Sequence, residues 1–177
     1  MPLVQLLFSY AAKMGFNKQN LIAVCSAALI LITYVPLAST VEDDSGFLKA
    51  HNEIRKEHGL PPLQWNKTLA EYAQNYANKR SGDCAMEHSD APYSENIASG
   101  LGMTGEAATK YWCTEKAEYD YNTNKCIGPE EDGCRHYTII VTRITTQLGC
   151  ARAKCKNGDM FVSCNYDPSG EPDQRPY

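Results

Sequence analysis

Apolar residues recur at three- and four-residue spacing between Phe47 and Tyr119, then gather into β-branched runs beyond Cys126. That change of period predicts helices first and strands second. Ser45 is placed to cap a helix with Phe47, Leu48, His51 and Ile54 on one face, halted at Gly59-Leu60-Pro61-Pro62. A second helix is predicted from about Thr68 to Arg80, with Leu69, Ala73, Tyr76 and Ala77 inward and Gly82 ending it. A third, over roughly Glu106 to Tyr119, stacks Ala107, Ala108, Tyr111, Trp112 and Glu115. Tyr137 to Thr145 and Met160 to Cys164 are rich in β-branched residues and read as strands. Asn157-Gly158-Asp159 is a tight-turn signal. Together these elements predict an α+β domain, a sheet covered by helices.

The first 40 residues have a different texture. Leu21 to Val35 is an uncharged apolar run of 15 residues, preceded by Lys13 and Lys18 and followed by Pro36 and Ala38-Ser39-Thr40. A positive start, an apolar middle and a small-residue exit form the layout of a signal peptide, and the run is short of a membrane span. Residues 1–40 are therefore expected to be a removable leader, with Met14 as an alternative start. Residues 41–167 form the domain, and 168–177 a tail.

Composition narrows the class. The chain has 177 residues, 21% charged and 43% apolar, which suits one globular domain. Its formal net charge is -4, and without residues 1–40 it carries 15 basic against 21 acidic residues. Nothing here supplies the basic footprint of a nucleic-acid binder. Eight cysteines, none in a CxxC pair, point to disulfides in an oxidising compartment and away from a structural zinc site. Cys25 belongs to the leader. Of the other seven, Cys113 is the expected free thiol, because it falls inside the third helix. Cys84, Cys126, Cys134, Cys150, Cys155 and Cys164 are expected to form three bridges, Cys126 with Cys134 being the most local pairing.

His88, Glu95, Glu115 and His136 form the polar constellation that stands out. Two imidazoles and two carboxylates suit a divalent cation, acid–base work, or a buried network that satisfies itself. A serine-nucleophile reading through Ser89, His136 and Asp90 lacks any nucleophile elbow. A thiol reading through Cys113 competes with a buried apolar filler. His51 is expected in the core, and His58 at a helix C-terminus, interacting with its dipole. Asn66-Lys67-Thr68 is either a glycosylation acceptor or a helix cap at Asn66.

Several stretches carry a resemblance: Gln64 to Cys84 (QWNKTLAEYAQNYANKRSGDC), His88-Ser89, Glu95-Asn96, Tyr111 to Cys126, Cys134 to Thr138 (CRHYT), Leu148 to Ala151 and Cys164 to Pro168 (CNYDP). In this order they resemble the plant pathogenesis-related 1 proteins of the CAP superfamily, over residue 45 to Tyr177. The resemblance implies a three-layer α-β-α sandwich. It also implies that His88, Glu95, Glu115 and His136 line a central cleft, which in some relatives holds zinc. The loop with Tyr119-Asp120-Tyr121 is implied to contact sterol, and the Pro168 to Tyr177 tail is released from some relatives as a signalling peptide. The expected protein is a secreted, antimicrobial, non-enzymatic monomer of the apoplast or vacuole. Its partner is a sterol or membrane lipid, it requires no cofactor, and a zinc ion is optional.

Five positions depart from the family pattern: Ser94, Arg135, Ile139, Thr142 and Glu171. An inward Arg135 would oppose a protonated His136 or a bound cation. Ile139 removes an amide, Thr142 removes an indole from the expected strand, and Glu171 stands in the tail where asparagine is usual. The tail, polar and proline-rich, is expected to be extended and accessible.

Overall fold

A computed structural model describes residues 45–130, 132–171 and 174–177. The leader, Met14 and Cys25 lie outside the described residues. Helix α1, Ser45–Glu57, buries Phe47, Ala50 and His51 and half-buries Leu48 and Ile54, as its spacing predicts. Gly59, at φ +64°, ends it: the Gly59 and Leu60 N–H groups donate to Lys56 and Arg55 carbonyls. A left-handed turn of this kind suits glycine. After strand β1 (Gln64–Trp65), Asn66 caps helix α2, Lys67–Arg80, its Oδ1 accepting from Thr68 and Leu69 N–H. Its side-chain nitrogen donates to Gln147 Oε1, so the sequon asparagine is engaged at both ends.

Strands β2 (Ser94–Leu101), β5 (Gln147–Lys154) and β6 (Asp159–Asp167) join β1 in a sheet ordered β1-β5-β6-β2. Only the β1–β5 pair is parallel. The predicted turn at Asn157-Gly158-Asp159 makes the β5–β6 hairpin, with Gly158 at φ +98°. Helix α2 covers one face, packing Tyr76 and Ala77 on Ile97 and Phe161. It presses so close that a Cβ on Gly149 of β5 would collide with Ala70 N and Leu69. The other face holds the larger core. Phe47 of α1 and Ala108 and Trp112 of helix α3 (Gly105–Cys113) meet Leu148, Val162 and Tyr166 there. This is the expected three-layer sandwich.

Two predicted elements are corrected. The third helix ends at Cys113 and tightens into a 3₁₀ turn, Thr114–Glu118; Thr109 and Trp112 face inward, while Ala107 and Tyr111 are exposed. Tyr137 to Thr145 is not a strand. Residues Arg135–Ile140 form a short helix, α4, followed by irregular chain, despite their β-branched side chains. Tertiary partners override propensity here. Glu115 Oε2 accepts from His136 N–H at 2.9 Å and Tyr137 N–H at 3.3 Å, capping the helix start. Buried Arg55 secures its end, donating to the carbonyls of Pro61, Ile140, Thr142 and Thr145 at 2.8–3.0 Å. Burial lowers the pKa of that guanidinium to about 10.

The disulfides pair Cys84–Cys155, Cys126–Cys134 and Cys150–Cys164, and Cys113 is free. Cys84–Cys155 closes a 71-residue separation, for which chain entropy gives a stabilisation of about 4 kcal/mol. Cys150 and Cys164 are direct cross-strand partners. Among the described residues, no helix is long and apolar enough to cross a membrane.

Candidate functional site

Edge strand β2 delivers Glu95 and Asn96 next to one another with side chains toward opposite faces of the sheet. Glu95 is nearly buried. Its Oε2 accepts from Ser89 N–H and lies 2.9 Å from His88 Nδ1; its Oε1 accepts from the hydroxyls of Ser89 and Ser163. Burial alone would raise the Glu95 pKa, but the bonds from His88 and Ser89 outweigh it and the net direction is downward. The same bond to Glu95 raises the pKa of His88, whose side chain is 59% exposed.

The second pair belongs to the other layer. His136, the second residue of α4, holds its Nδ1 2.6 Å from Glu115 Oε1, and its ring stacks on Trp112 with centroids 6.1 Å apart. Trp112 is locked by its Nε1–H donation to Ile97 O of β2. Asn96 links the pairs: its Nδ2 donates to His136 O and to the Tyr166 hydroxyl. The chain continues inward. Phe47 O can only accept, so His51 Nδ1 carries the proton; Nε2 then accepts from the Tyr166 hydroxyl at 2.8 Å. Full burial lowers the His51 pKa to about 4, which keeps this core imidazole neutral.

The four predicted residues are thus organised as two His–carboxylate pairs. Ser89, Asn96 and Tyr166, which fall in the motifs quoted above without an assigned partner, complete the network together with Ser163, which no motif marked. Each carboxylate orients an imidazole through Nδ1, as in the outer shell of a metal centre. Yet among the described residues no group of three or more His, Cys, Asp or Glu could hold a metal ion. Each imidazole is tied through Nδ1 to one carboxylate. Arg135 does not point into this region: its Nε donates to Asp132 Oδ1 at 2.7 Å on the exposed surface.

Ser89 gives its hydroxyl proton to a carboxylate, and His136 faces Glu115, so Ser89, His136 and Asp90 do not form a relay. Burial, then the charge of Glu57, raises the Cys113 thiol to about 12. His58 is corrected as well. Its ring leaves the helix axis for an aromatic cluster, 4.3 Å from Tyr177 by centroids, with Nε2 3.0 Å from the Tyr137 hydroxyl. Burial lowers its pKa, contrary to a charge that favours the helix dipole.

That cluster flanks the sandwich. A two-stranded ribbon, β3 (Tyr119–Asp120) with β4 (Lys125–Cys126), is tied to α4 by Cys126–Cys134. Tyr119 is half-buried against Tyr137, and its hydroxyl donates to Asn124 Oδ1 at 2.7 Å. Tyr121 is 43% exposed and Ile127 65% exposed on the same ribbon. Beside it lies a cavity of about 560 Å³ whose walls include Tyr119, Cys126 and Pro176. The departures Ser94, Arg135, Ile139 and Thr142 all line it, and both His–carboxylate pairs are formed with these residues in place. The tail is not accessible to its end: Pro176 is buried, and Tyr177 packs among Tyr119, Tyr121 and His58.

A model of the cysteine-rich secretory protein (CAP) family matches residues 48–166. Pathogenesis-related protein 1 of Arabidopsis thaliana is 45% identical over 166 residues, covering 93% of this chain and 100% of its own length. Pathogenesis-related leaf protein 6 of Solanum lycopersicum is 43% identical with the same coverage. Among solved structures, venom allergen-like protein 4 of Schistosoma mansoni superposes with a TM-score of 0.62 at 28% identity, over 77% of this chain and 94% of that one.

Proposed function

The chain belongs to the cysteine-rich secretory protein (CAP) family, and from that premise we propose that it is an exported plant defence protein of the pathogenesis-related 1 type. It acts by capturing sterol or membrane lipid of fungi and oomycetes, without turnover. One observation carries the reading: Tyr121 and Ile127 stand exposed on a short ribbon anchored by a disulfide, beside a cavity large enough for a small ligand. Exposed aromatic and aliphatic side chains on a pinned support offer apolar area with little ordering cost on binding.

Capture without catalysis is supported by the partners of the reactive groups. Ser89 is spent on Glu95, and a thiol with a pKa near 12 is not a nucleophile at neutral pH. No cofactor is required, and the His–carboxylate pairs serve as braces between layers. Three disulfides favour an oxidising location such as the apoplast or a vacuole. The protein works as a monomer and does not engage nucleic acid, in keeping with a net charge of -4. A fluorescent sterol titrated into the oxidised protein tests the reading. Tyr119→Ala/Tyr121→Ala is expected to bind it at least about tenfold more weakly; affinity equal to the parent's would refute capture at this ribbon.

A further inference from the structure

The tyrosine surface is already occupied on one side by the chain's own end. Tyr177 stacks on Tyr121 with centroids 5.0 Å apart and planes 26° apart, and it also meets Tyr119. Its hydroxyl lies 3.3 Å from that of Tyr137. Arg175 clamps the ribbon from above: Nε donates to Tyr121 O at 3.0 Å and Nη2 to Asn122 O at 2.9 Å, with the guanidinium 5.4 Å from the Tyr121 ring centre. Between them Pro176 is buried, and its carbonyl accepts from Arg143 N–H at 2.6 Å. Gln174 and Pro176 also form part of the wall of the adjoining cavity.

Every one of these contacts is of the kind a peptide ligand makes: backbone carbonyls take an arginine, a ring stacks on a ring, and a main-chain amide takes a carbonyl. None is covalent, and Arg175 itself remains exposed. We propose that Gln174–Tyr177 is an intramolecular ligand, a strap whose seating on Tyr121 excludes the sterol or lipid that this surface captures. This rests on the capture reading above. An apolar ring pressed against Tyr119 and Tyr121 needs the face that Tyr177 holds, so strap and ligand compete for one seat. Lifting or removing the strap is then the step that opens the surface. When only a fraction of molecules has the seat free, apparent affinity drops by that fraction.

The experiment compares the full chain with Arg175→Ala and with Tyr177→Ala, each checked for a cooperative melting transition. Two readouts are taken: nitration of Tyr121 by tetranitromethane, resolved by mass spectrometry, and titration with a fluorescent sterol. Both variants are expected to nitrate Tyr121 faster and to bind the sterol about tenfold more tightly, as for a seat previously free in one molecule in ten. Unchanged nitration in both variants overturns the strap. Faster nitration with sterol binding equal to the parent's shows that strap and ligand do not compete, and overturns the inference alone. Faster nitration with no sterol bound by any of the three proteins overturns the capture reading, and the competition with it.

Discussion

The two polar pairs and the tyrosine flank are built on opposite terms. Glu95 has its partners in the segment before β2 and in β6, Glu115 has its partners in α4, and Trp112 stacks on His136 and bonds to Ile97 O. A ligand entering there would have to replace hydrogen bonds already made, each costly to leave unmade. The flank at Tyr119 and Tyr121 is closed mainly by ring contacts and by four residues at the end of the chain. Such contacts can be exchanged for an incoming ring at small cost. The difference teaches that the carboxylates of the His/Glu constellation, the most conspicuous chemistry in the sequence, are engaged by hydrogen bonds, while the less conspicuous flank is closed by ring contacts that exchange more readily.

The comparison breaks most readily at the layer seam. Trp112→Ala removes a fully buried indole and its bond to Ile97, and is expected to cost about 3–5 kcal/mol in denaturant unfolding. Glu95→Ala leaves Ser89 N–H and two hydroxyls without their acceptor and is expected to cost about 2–3 kcal/mol by the same measurement. Glu115→Ala, which mainly uncaps α4, should cost about 1–2 kcal/mol. A reversed order would mean that the second pair, and not the first, braces the sandwich.

The pH response sharpens the contrast further. His51 has a folded pKa lowered to about 4 from an ordinary 6.5, so the unfolded chain takes up a proton that the folded chain refuses. Stability is therefore expected to fall as pH drops from 6.5 toward 4. His88 has the opposite sign: its raised pKa gives a contribution fully present below 6.5 and lost as pH rises through the folded value. The lowered pKa of Glu95 adds stability that is present above 4.5 and lost as pH falls through its folded value. Imidazole proton titration by NMR should find His88 above the free value, reverting in Glu95→Gln, while His51 stays neutral through weakly acid pH. The smallest effect belongs to the flank: Tyr177→Ala should cost no more than about 1 kcal/mol of stability.

The sequence announces what depends on local rules. Helix α1 stops at Gly59, α2 starts at Asn66, and the β5–β6 turn uses Gly158, all because caps and turns need particular residues. Strand β2 was invisible, since Ser94, Glu95, Asn96 and Gly100 have little strand propensity and are held by pairing with β6. In β5, Gly149 and Ala151 read as neither strand nor helix, yet α2 demands a residue without a Cβ at Gly149. The run from Tyr137 to Val141 misled for the converse reason, with Glu115 and Arg55 supplying partners from distant positions. The four site residues were legible as types and as a family pattern. Which imidazole meets which carboxylate depends on pairings 7 and 21 residues apart that lie within no one helix or strand, and where Tyr177 lands depends on contacts 40 or more residues away in the chain.

Sterol titration of three folded proteins side by side tests the division of labour most directly. They are the parent, the cleft variant His88→Ala/His136→Ala and the flank variant Tyr119→Ala/Tyr121→Ala. The account predicts cleft-variant affinity within about twofold of the parent's and flank-variant affinity at least about tenfold weaker. Loss of sterol in the cleft variant with full retention in the flank variant would contradict it.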